Sequence, residues 1–370
     1  MRVLLFHPWG RFEDACGASR TALAVREYLR ASGAAVRCVM QEIPAWGVTA
    51  DGDARPVALD CEPVAPGDHG AAFATLLFAS ERAAARRPFR HLAREPWDAF
   101  VTTDVCAAPF AHALPRGVLR VLAVGDSYAR RSVACETERA FAFARVEAEL
   151  YQLFDLVLFT TEDDAARARR HGVKGARHVP LWVREPVTSG MVSEEHDITV
   201  VAGARCGELE DLEWFYRHVY LPHLRACGAR LTVAGPVAER FGVNDRRVAK
   251  VPNSDCVYEA SRVVVAPAHG AAGPCAPVLD AMARGRAVVT TPHGLRGVDV
   301  PAEASVCIDR RANPAGTAEA VRALLASPAR RADVGARAAS ISGAHARGRY
   351  FAAMRAAWQP RATRATAEVA

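Results

Sequence analysis

This sequence predicts an α/β chain of two parallel-sheet domains, and three observations lead there. At 370 residues it exceeds what one hydrophobic core usually organises. Two successive series of β-branched runs alternate with amphipathic helical segments, one on each side of a polar stretch at 184–196. Residues 263–298, VVVAPAHGAAGPCAPVLDAMARGRAVVTTPHGLRGV, read as strand, glycine-bearing loop, short helix, glycine stop and strand.

The third observation carries the chemistry. Residues 263–266 are a β-branched run closed by Pro267, which suits a strand buried on both faces. From 269 to 274 the loop is built of small residues, and Gly270 and Gly273 allow tight turns and close backbone approach. Pro277 falls early in the following helix, where its missing N–H is tolerated, and Val278 and Met282 lie four apart on one face. Gly285 is placed to stop that helix before a second buried strand at 287–290. A glycine loop at a helix N-terminus suits an anion, because free N–H groups and the helix dipole both face it. Many such loops bind nothing, so both readings stand at this point.

Apolar residues make up 51% and charged residues 24%, an ordinary balance for a folded globular chain. The formal net charge is +6, and Lys174 and Lys250 are the only lysines among 47 basic residues. Arginine forks suit phosphate and carboxylate ligands, although the matching abundance of alanine points to a composition bias behind most of them. No basic run interleaves with aromatics, which argues against nucleic acid binding. The ten cysteines show no CxxC pair and no metal-ligand spacing. Reduced, mostly buried thiols in a cytoplasmic protein are therefore expected, with no metal and no disulfide framework. The apolar run at 3–6 is too short for a signal peptide, and no run reaches the ~18 apolar residues of a membrane span. A peripheral membrane contact stays open.

In chain order, 2–7 is a strand, 9–17 a polar loop, 18–31 a helix ended by Gly33, and 35–40 a second strand. The stretch 41–70 reads as loops and short strands, 71–87 as a helix stopped by Pro88, and 97–103 and 118–124 as strands. Residues 136–154 form a long amphipathic helix whose stripe of Phe143, Val146, Leu150 and Leu153 is expected to face the core. A strand at 156–160 and a helix capped at Thr161 or Glu162 follow, and the chain leaves the first domain through HVPLWV at 178–183. The second domain opens with a strand at 197–202, a helix at 211–226, a strand at 230–234 and a short helix at 255–261. Helices at 314–327 and 329–340 precede a last one carrying Tyr350, Phe351, Met354 and Trp358 at helical spacing.

The 263–298 segment resembles the donor-binding segment of the group 1 GT-B glycosyltransferases. In that family a Gly-Ala-Gly loop precedes a helix of the form V-L-E-A-M-A-x-G-x-P-V-V-x-T; the same places here read Ala271-Ala272-Gly273 and VLDAMARGRAVVTT. The resemblance extends in order to about residue 358. It implies two Rossmann-like parallel-sheet domains facing across a cleft, with the C-terminal helix crossing back to the first. The implied boundaries are 1–183 on the acceptor side, joined by 346–370; a linker at 184–196; and 197–345 as the nucleotide-sugar-binding domain.

The resemblance also implies site residues. Gly203 and Arg205 stand where the family places a glycine and a phosphate-binding arginine, and Val251 where backbone surrounds the nucleotide base. Gly270, Ala272, Gly273 and Pro274 form the donor loop, and Asp280 replaces the glutamate that holds the ribose. Gly17 and Ala18 close a glycine-rich loop near donor and acceptor. Asp126 takes the place of the aspartate in a His-Asp pair whose histidine is here Gly125, which makes Asp126 the candidate catalytic group. The other readings of Asp126 are a helix cap or an ion pair with Arg130 or Arg131. Three donor-contact places depart from the pattern: Glu210 and Pro277 stand for lysines, and Ala272 for a glutamate.

The implied reaction is transfer of a sugar from a nucleoside-diphosphate sugar to an unknown acceptor (a glycan, a lipid-linked or a small molecule), with retention. Loop amides and Arg205 would stabilise the leaving diphosphate without a metal, and the nucleotide sugar is a substrate, so no cofactor is expected. The alternatives are a GT-B module that binds donor or partner without turnover, and a sugar-nucleotide 2-epimerase. Asp280 is expected in the first turns of its helix, on the ribose hydroxyls or, in the plainer reading, serving only the helix dipole. Gly273 reads as surface backbone, so Gly273→Val is expected to remove nucleotide binding while sparing the fold.

Overall fold

The computed structural model describes residues 1–7, 17–42, 55–58, 69–125, 127, 140–183, 195–202, 206–251, 256–269, 273–298, 306–307 and 313–358. The chain forms two compact units: Met1–Trp182 together with the chain from Tyr350 onward, and Val183–Arg349.

The strands of the first unit are β1 (Arg2–His7), β2 (Ala35–Glu42), β3 (Arg55–Ala58), β4 (Ala99–Thr102), β5 (Leu119–Val124), β6 (Leu156–Phe159) and β7 (Ala176–His178). They pair in parallel in the order β3-β2-β1-β4-β5-β6-β7. β1 shows why the sheet is buried on both sides. Leu4 and Phe6 enter one core and Val3 and Leu5 the other, all four fully buried, as the two-residue period of a strand requires. The second unit holds β8 (His196–Val201), β9 (Leu231–Ala234), β10 (Val248–Val251), β11 (Ser261–Ala266), β12 (Ala287–Thr290) and β13 (Val306–Cys307). Their order is β10-β9-β8-β11-β12-β13, again all parallel.

Helix breaks follow side-chain chemistry. Helix His69–Ala85 ends and Arg87–Ala93 begins with Pro88 in its first turn, so the proline starts a helix as well as limiting one. Helix Cys206–Phe215 widens into a π-helical stretch, Tyr216–Leu224, that holds Pro222, whose missing N–H disturbs the regular ladder. Helix Ala276–Ala283 closes at Gly285, whose φ of 63° lets Arg286 N–H reach back 2.9 Å to Ala281 O.

Three expectations need correction. Residues 256–260 form turns, not a helix, because Ser261 already pairs in β11. Thiols are not uniformly buried: Cys38 and Cys106 are, whereas Cys227 and Cys256 are exposed, all four unbridged. The stripe of helix Ala140–Tyr151 is also shifted: Val146 and, in the turn beyond, Leu153 are exposed, while Glu147, Tyr151 and Phe154 are buried. A carboxylate on the inward face moved the buried stripe by one residue, and hydrophobic periodicity cannot register that.

The last helix, Arg347–Trp358, supplies a wall of the first unit. Tyr350, Met354 and Ala357 pack in the same core as Val3, Leu5 and Tyr28. Phe351 meets the Tyr28 ring edge-on at 5.5 Å, and Tyr350 stacks on Trp182 at 6.3 Å. Burial holds the Tyr350 phenol well above its ordinary pKa. Met354 is fully buried, so Met354→Ala should destabilise the first unit by about 2–5 kcal/mol. Its exposed neighbour offers the control: Arg355→Ala should change stability by no more than ~0.5 kcal/mol in the same denaturant titration.

Candidate functional site

In each sheet the strand order reverses once, between β1 and β4 in the first and between β8 and β11 in the second. Chains leaving the two strands at such a point diverge, and a crevice opens beyond their carboxyl ends. In the second unit β8 runs out through Ala202 towards Gly203 and Arg205, which lie outside the described residues, and the next helix begins at Cys206. β11 runs out through Pro267, Ala268 and His269; Gly270 and Ala272 lie outside the described residues, and Gly273 and Pro274 lead into helix Ala276–Ala283.

The described parts of these loops are tied together. His269 N–H donates to Asp211 Oδ2 at 3.0 Å, which holds the β11 exit against the helix after β8. Thr290 Oγ1 donates to Ala266 O at 2.9 Å, and Thr291 Oγ1 donates to Ala268 O. Thr291 Oγ1 in turn accepts from Gly294 N–H at 3.2 Å. The His269 and His293 rings meet edge-on at 5.7 Å. The exits of β11 and β12 and the helix after β8 therefore form one hydrogen-bonded rim. Further along the edge Gly235 N–H donates to Val251 O at 2.9 Å, so Val251 ends β10 beside the β9 exit.

Helix Ala276–Ala283 has no acidic residue in its first turn and no side-chain cap on its Cys275 N-cap. Its N-terminus therefore meets an incoming anion with no carboxylate of its own in that turn. Pro277, half-buried in that turn, withholds one amide. Asp280 is the fifth residue, one turn below Ala276 on the same face, and is buried at 7% exposure. That position weakens the dipole-only reading, because the dipole's effect is concentrated in the first turn. Gly273 is buried rather than surface backbone, so Gly273→Val would strain the fold as well as block a ligand. Glu210, which stands where a lysine would hold phosphate, is exposed on its helix.

In the first unit Gly17 and Ala18 open helix Gly17–Ala31 and are thus its first turn, one residue earlier than the loop reading placed the start. Asp126 lies outside the described residues, but its neighbours are defined. Gly125 is buried, and the Ser127 hydroxyl donates to Glu147 Oε2 at 2.8 Å with both residues buried. Tyr151 lies beside Glu147; burial first, and then that carboxylate, hold its phenol well above the ordinary value, so it stays protonated. At the reversal point the His7 ring pairs with Thr103 Oγ1 across 2.9 Å. Asp104 Oδ1 accepts from Cys106 N–H at 2.8 Å. Among the described residues, no three His, Cys, Asp or Glu side chains converge at metal-ligand spacing.

Comparison with known proteins bears on this arrangement. Residues 196–327 match the family described as glycosyl transferases group 1, a span that runs from β8 through the helix after β13 and includes the whole rim. The second unit thus carries a segment similar to the group 1 glycosyl transferases. Its fold is similar along nearly its whole length to sucrose-phosphate synthase from Thermosynechococcus elongatus, at 18% identity and a TM-score of 0.70, covering 99% of each chain. It is similar also to Anabaena HepE in complex with UDP and glucose, at 12% identity and a TM-score of 0.66, covering 97% of this chain and 100% of that one. An E. coli structure described as trehalose-6-phosphate bound with UDP-2-fluoro glucose gives 12% identity and a TM-score of 0.64, covering 96% of this chain and 98% of that one. These likenesses show the fold alone. No match is found among curated proteins.

Sequence reasoning missed the residues that brace this rim. Asp211, His293, Thr291 and Gly235 act through single hydrogen bonds, ring contacts or close approaches and carry no periodicity. Only Gly235 had a signal, its place directly after a β-branched run. Its φ is 89°, and a Cβ there would stand 2.5 Å from Ala202 O, on the exit of β8. Gly235→Ala should therefore cost at least about 1–3 kcal/mol from the backbone conformation alone. A melting temperature unchanged from wild type would show that the two exits are not in contact.

Proposed function

We propose that the protein is a glycosyltransferase that takes its sugar from a nucleoside-diphosphate donor bound at the carboxyl ends of β8 and β11, and transfers it with retention to an acceptor held by the first unit. The observation that carries this reading is a coincidence of place: the family segment coincides with the exits at the strand-order reversal, where open parallel sheets take their ligands. The leaving diphosphate develops negative charge, which amides of the 270–274 loop and the Arg205 guanidinium would stabilise without a metal. Asp280 would accept from the ribose hydroxyls, being an acceptor-only group one turn from the helix start. Val251 and Gly203 would border the base and the phosphates, and Asp126 is the candidate catalytic group.

Ala272, Pro277 and Glu210 favour a second reading, binding without turnover, because each removes a group expected to hold the donor. Titration of the protein with UDP-, GDP-, dTDP- and CMP-sugars separates the two. A cognate donor at 100 times its dissociation constant should stabilise the fold by about 2.7 kcal/mol. Release of the nucleoside diphosphate during incubation supports transfer, binding without release supports the module, and interconversion of two sugar nucleotides would mark the 2-epimerase. Two structural relatives are described with uridine nucleotides bound, so UDP-sugars come first.

Asp280→Asn tests the site itself. Loss of a charged acceptor on the ribose should weaken donor binding by tenfold or more, since hydrogen bonds to charged groups contribute about 1.5–3 kcal/mol. Equal donor affinity in the two proteins, measured by calorimetry, would leave Asp280 a structural role only.

A further inference from the structure

In the second unit, the chain leaving β11 is held from two sides before it enters residues 270–274. Pairing of β8 with β11 runs as far as Val264 opposite Thr199, whereas β12 accompanies β11 to its end, with Thr290 opposite Ala266. Beyond Val264 a side chain joins the β8 side to β11 again: Asp211 Oδ2 accepts from His269 N–H at 3.0 Å. From the other side, Thr290 Oγ1 and Thr291 Oγ1 donate to Ala266 O and Ala268 O. Main-chain groups at 266, 268 and 269 are thus bonded by side chains of two neighbouring elements. Asp211 is half-buried on helix Cys206–Phe215, whose Leu212 and Phe215 are fully buried in the core with Ile198 and Val200 of β8. Those two residues seat the helix on the sheet, so the carboxylate is offered from a fixed platform.

We propose that Asp211 is a positioning residue for the donor, acting through the His269 amide to set where residues 270–274 leave β11. The inference rests on the donor reading given above. A carboxylate that accepts from an amide makes a charge-assisted bond, stronger than a neutral one. Arg205 stands directly before helix Cys206–Phe215, and Gly270 directly after His269. One bond therefore couples the starting points of both segments proposed to meet the diphosphate. Without it the departure of the loop would be fixed only when the donor binds, and that ordering cost would weaken binding. Charge disfavours direct contact as the role of Asp211, because a carboxylate facing a diphosphate repels it. Turned to a main-chain amide, the same group is satisfied and holds the loop.

Three variants of the full chain separate the tie from the charge. Asp211→Ala and Asp211→Ser cannot reach the His269 amide, whereas Asp211→Asn keeps an acceptor oxygen at the same length and loses the charge. Hydrogen exchange read by mass spectrometry over residues 267–275 reports the tie itself. It should be about tenfold faster in the Ala and Ser variants and near the wild-type rate in the Asn variant. Exchange within β9 and β12 should stay at the wild-type rate, which separates a freed loop from an unfolded unit. Calorimetric titration with UDP-, GDP-, dTDP- and CMP-sugars then reports the donor. The Ala and Ser variants should bind the sugar nucleotide that the wild type binds about tenfold more weakly, and the Asn variant within about threefold. Unchanged loop exchange in the Ala variant, or faster exchange with wild-type donor affinity, would overturn the proposal. So would a tenfold loss in Asp211→Asn, which would assign the effect to charge. Failure of the wild type to bind any of the four would remove the donor reading and this inference with it, an outcome distinct from equal binding by wild type and variant.

Discussion

Parallel pairing throughout both sheets is the constraint on which the rest of this structure depends. A parallel strand cannot follow its neighbour through a tight turn; each connection must cross a face of the sheet and start again at the same edge. Every strand exit therefore opens on one edge, both faces are covered by the crossing helices, and the strands become apolar on both sides. The fully buried runs of β4, β6, β9 and β12 are the outcome. Several of the buried polar groups sit where strands stop, among them His7, Thr103, Asp104, Thr290 and Thr291.

Those groups are paired rather than scattered. His7 with Thr103, Ser127 with Glu147, and Thr290 with Ala266 O each join two exits or an exit and a helix. Buried polar atoms are costly unless bonded, so each pair holds its loops in one arrangement. The described ends of β11 and β12 are thereby bonded to the scaffold before a ligand arrives, which lowers the entropy that binding there must overcome.

Much of this was legible in the residues, and the reasons differ between fold and site. The strands declared themselves because a doubly covered sheet demands β-branched runs, as in Val263 to Val265 and Val288 to Val289. The last helix was read correctly as well, since Tyr350, Phe351, Met354 and Trp358 recur at the helical period and pack accordingly. Helix Ala140–Tyr151 was misread on its buried face because period analysis looks for apolar residues, and the inward residue there is Glu147. The candidate site was legible through one segment, 263–298, where glycine, proline and a carboxylate fall at telling intervals. Asp211 was not, nor was the role of Gly235 beyond its place after a strand, since what they do depends on partners 58 and 33 residues away, His269 and Ala202.

The last helix has a consequence in time. Val3, Leu5 and Tyr28 are covered by Tyr350, Met354 and Ala357, yet the second unit, residues 183–349, lies between them in the chain. At translation rates of about 5–20 residues per second, making those 167 residues (349 − 183 + 1) takes roughly 10–30 s. During that interval the first sheet has an apolar face with its covering helix not yet synthesised. The nascent chain therefore meets the cell with one apolar face of that sheet uncovered, and partly folded species with exposed apolar surface are prone to aggregate.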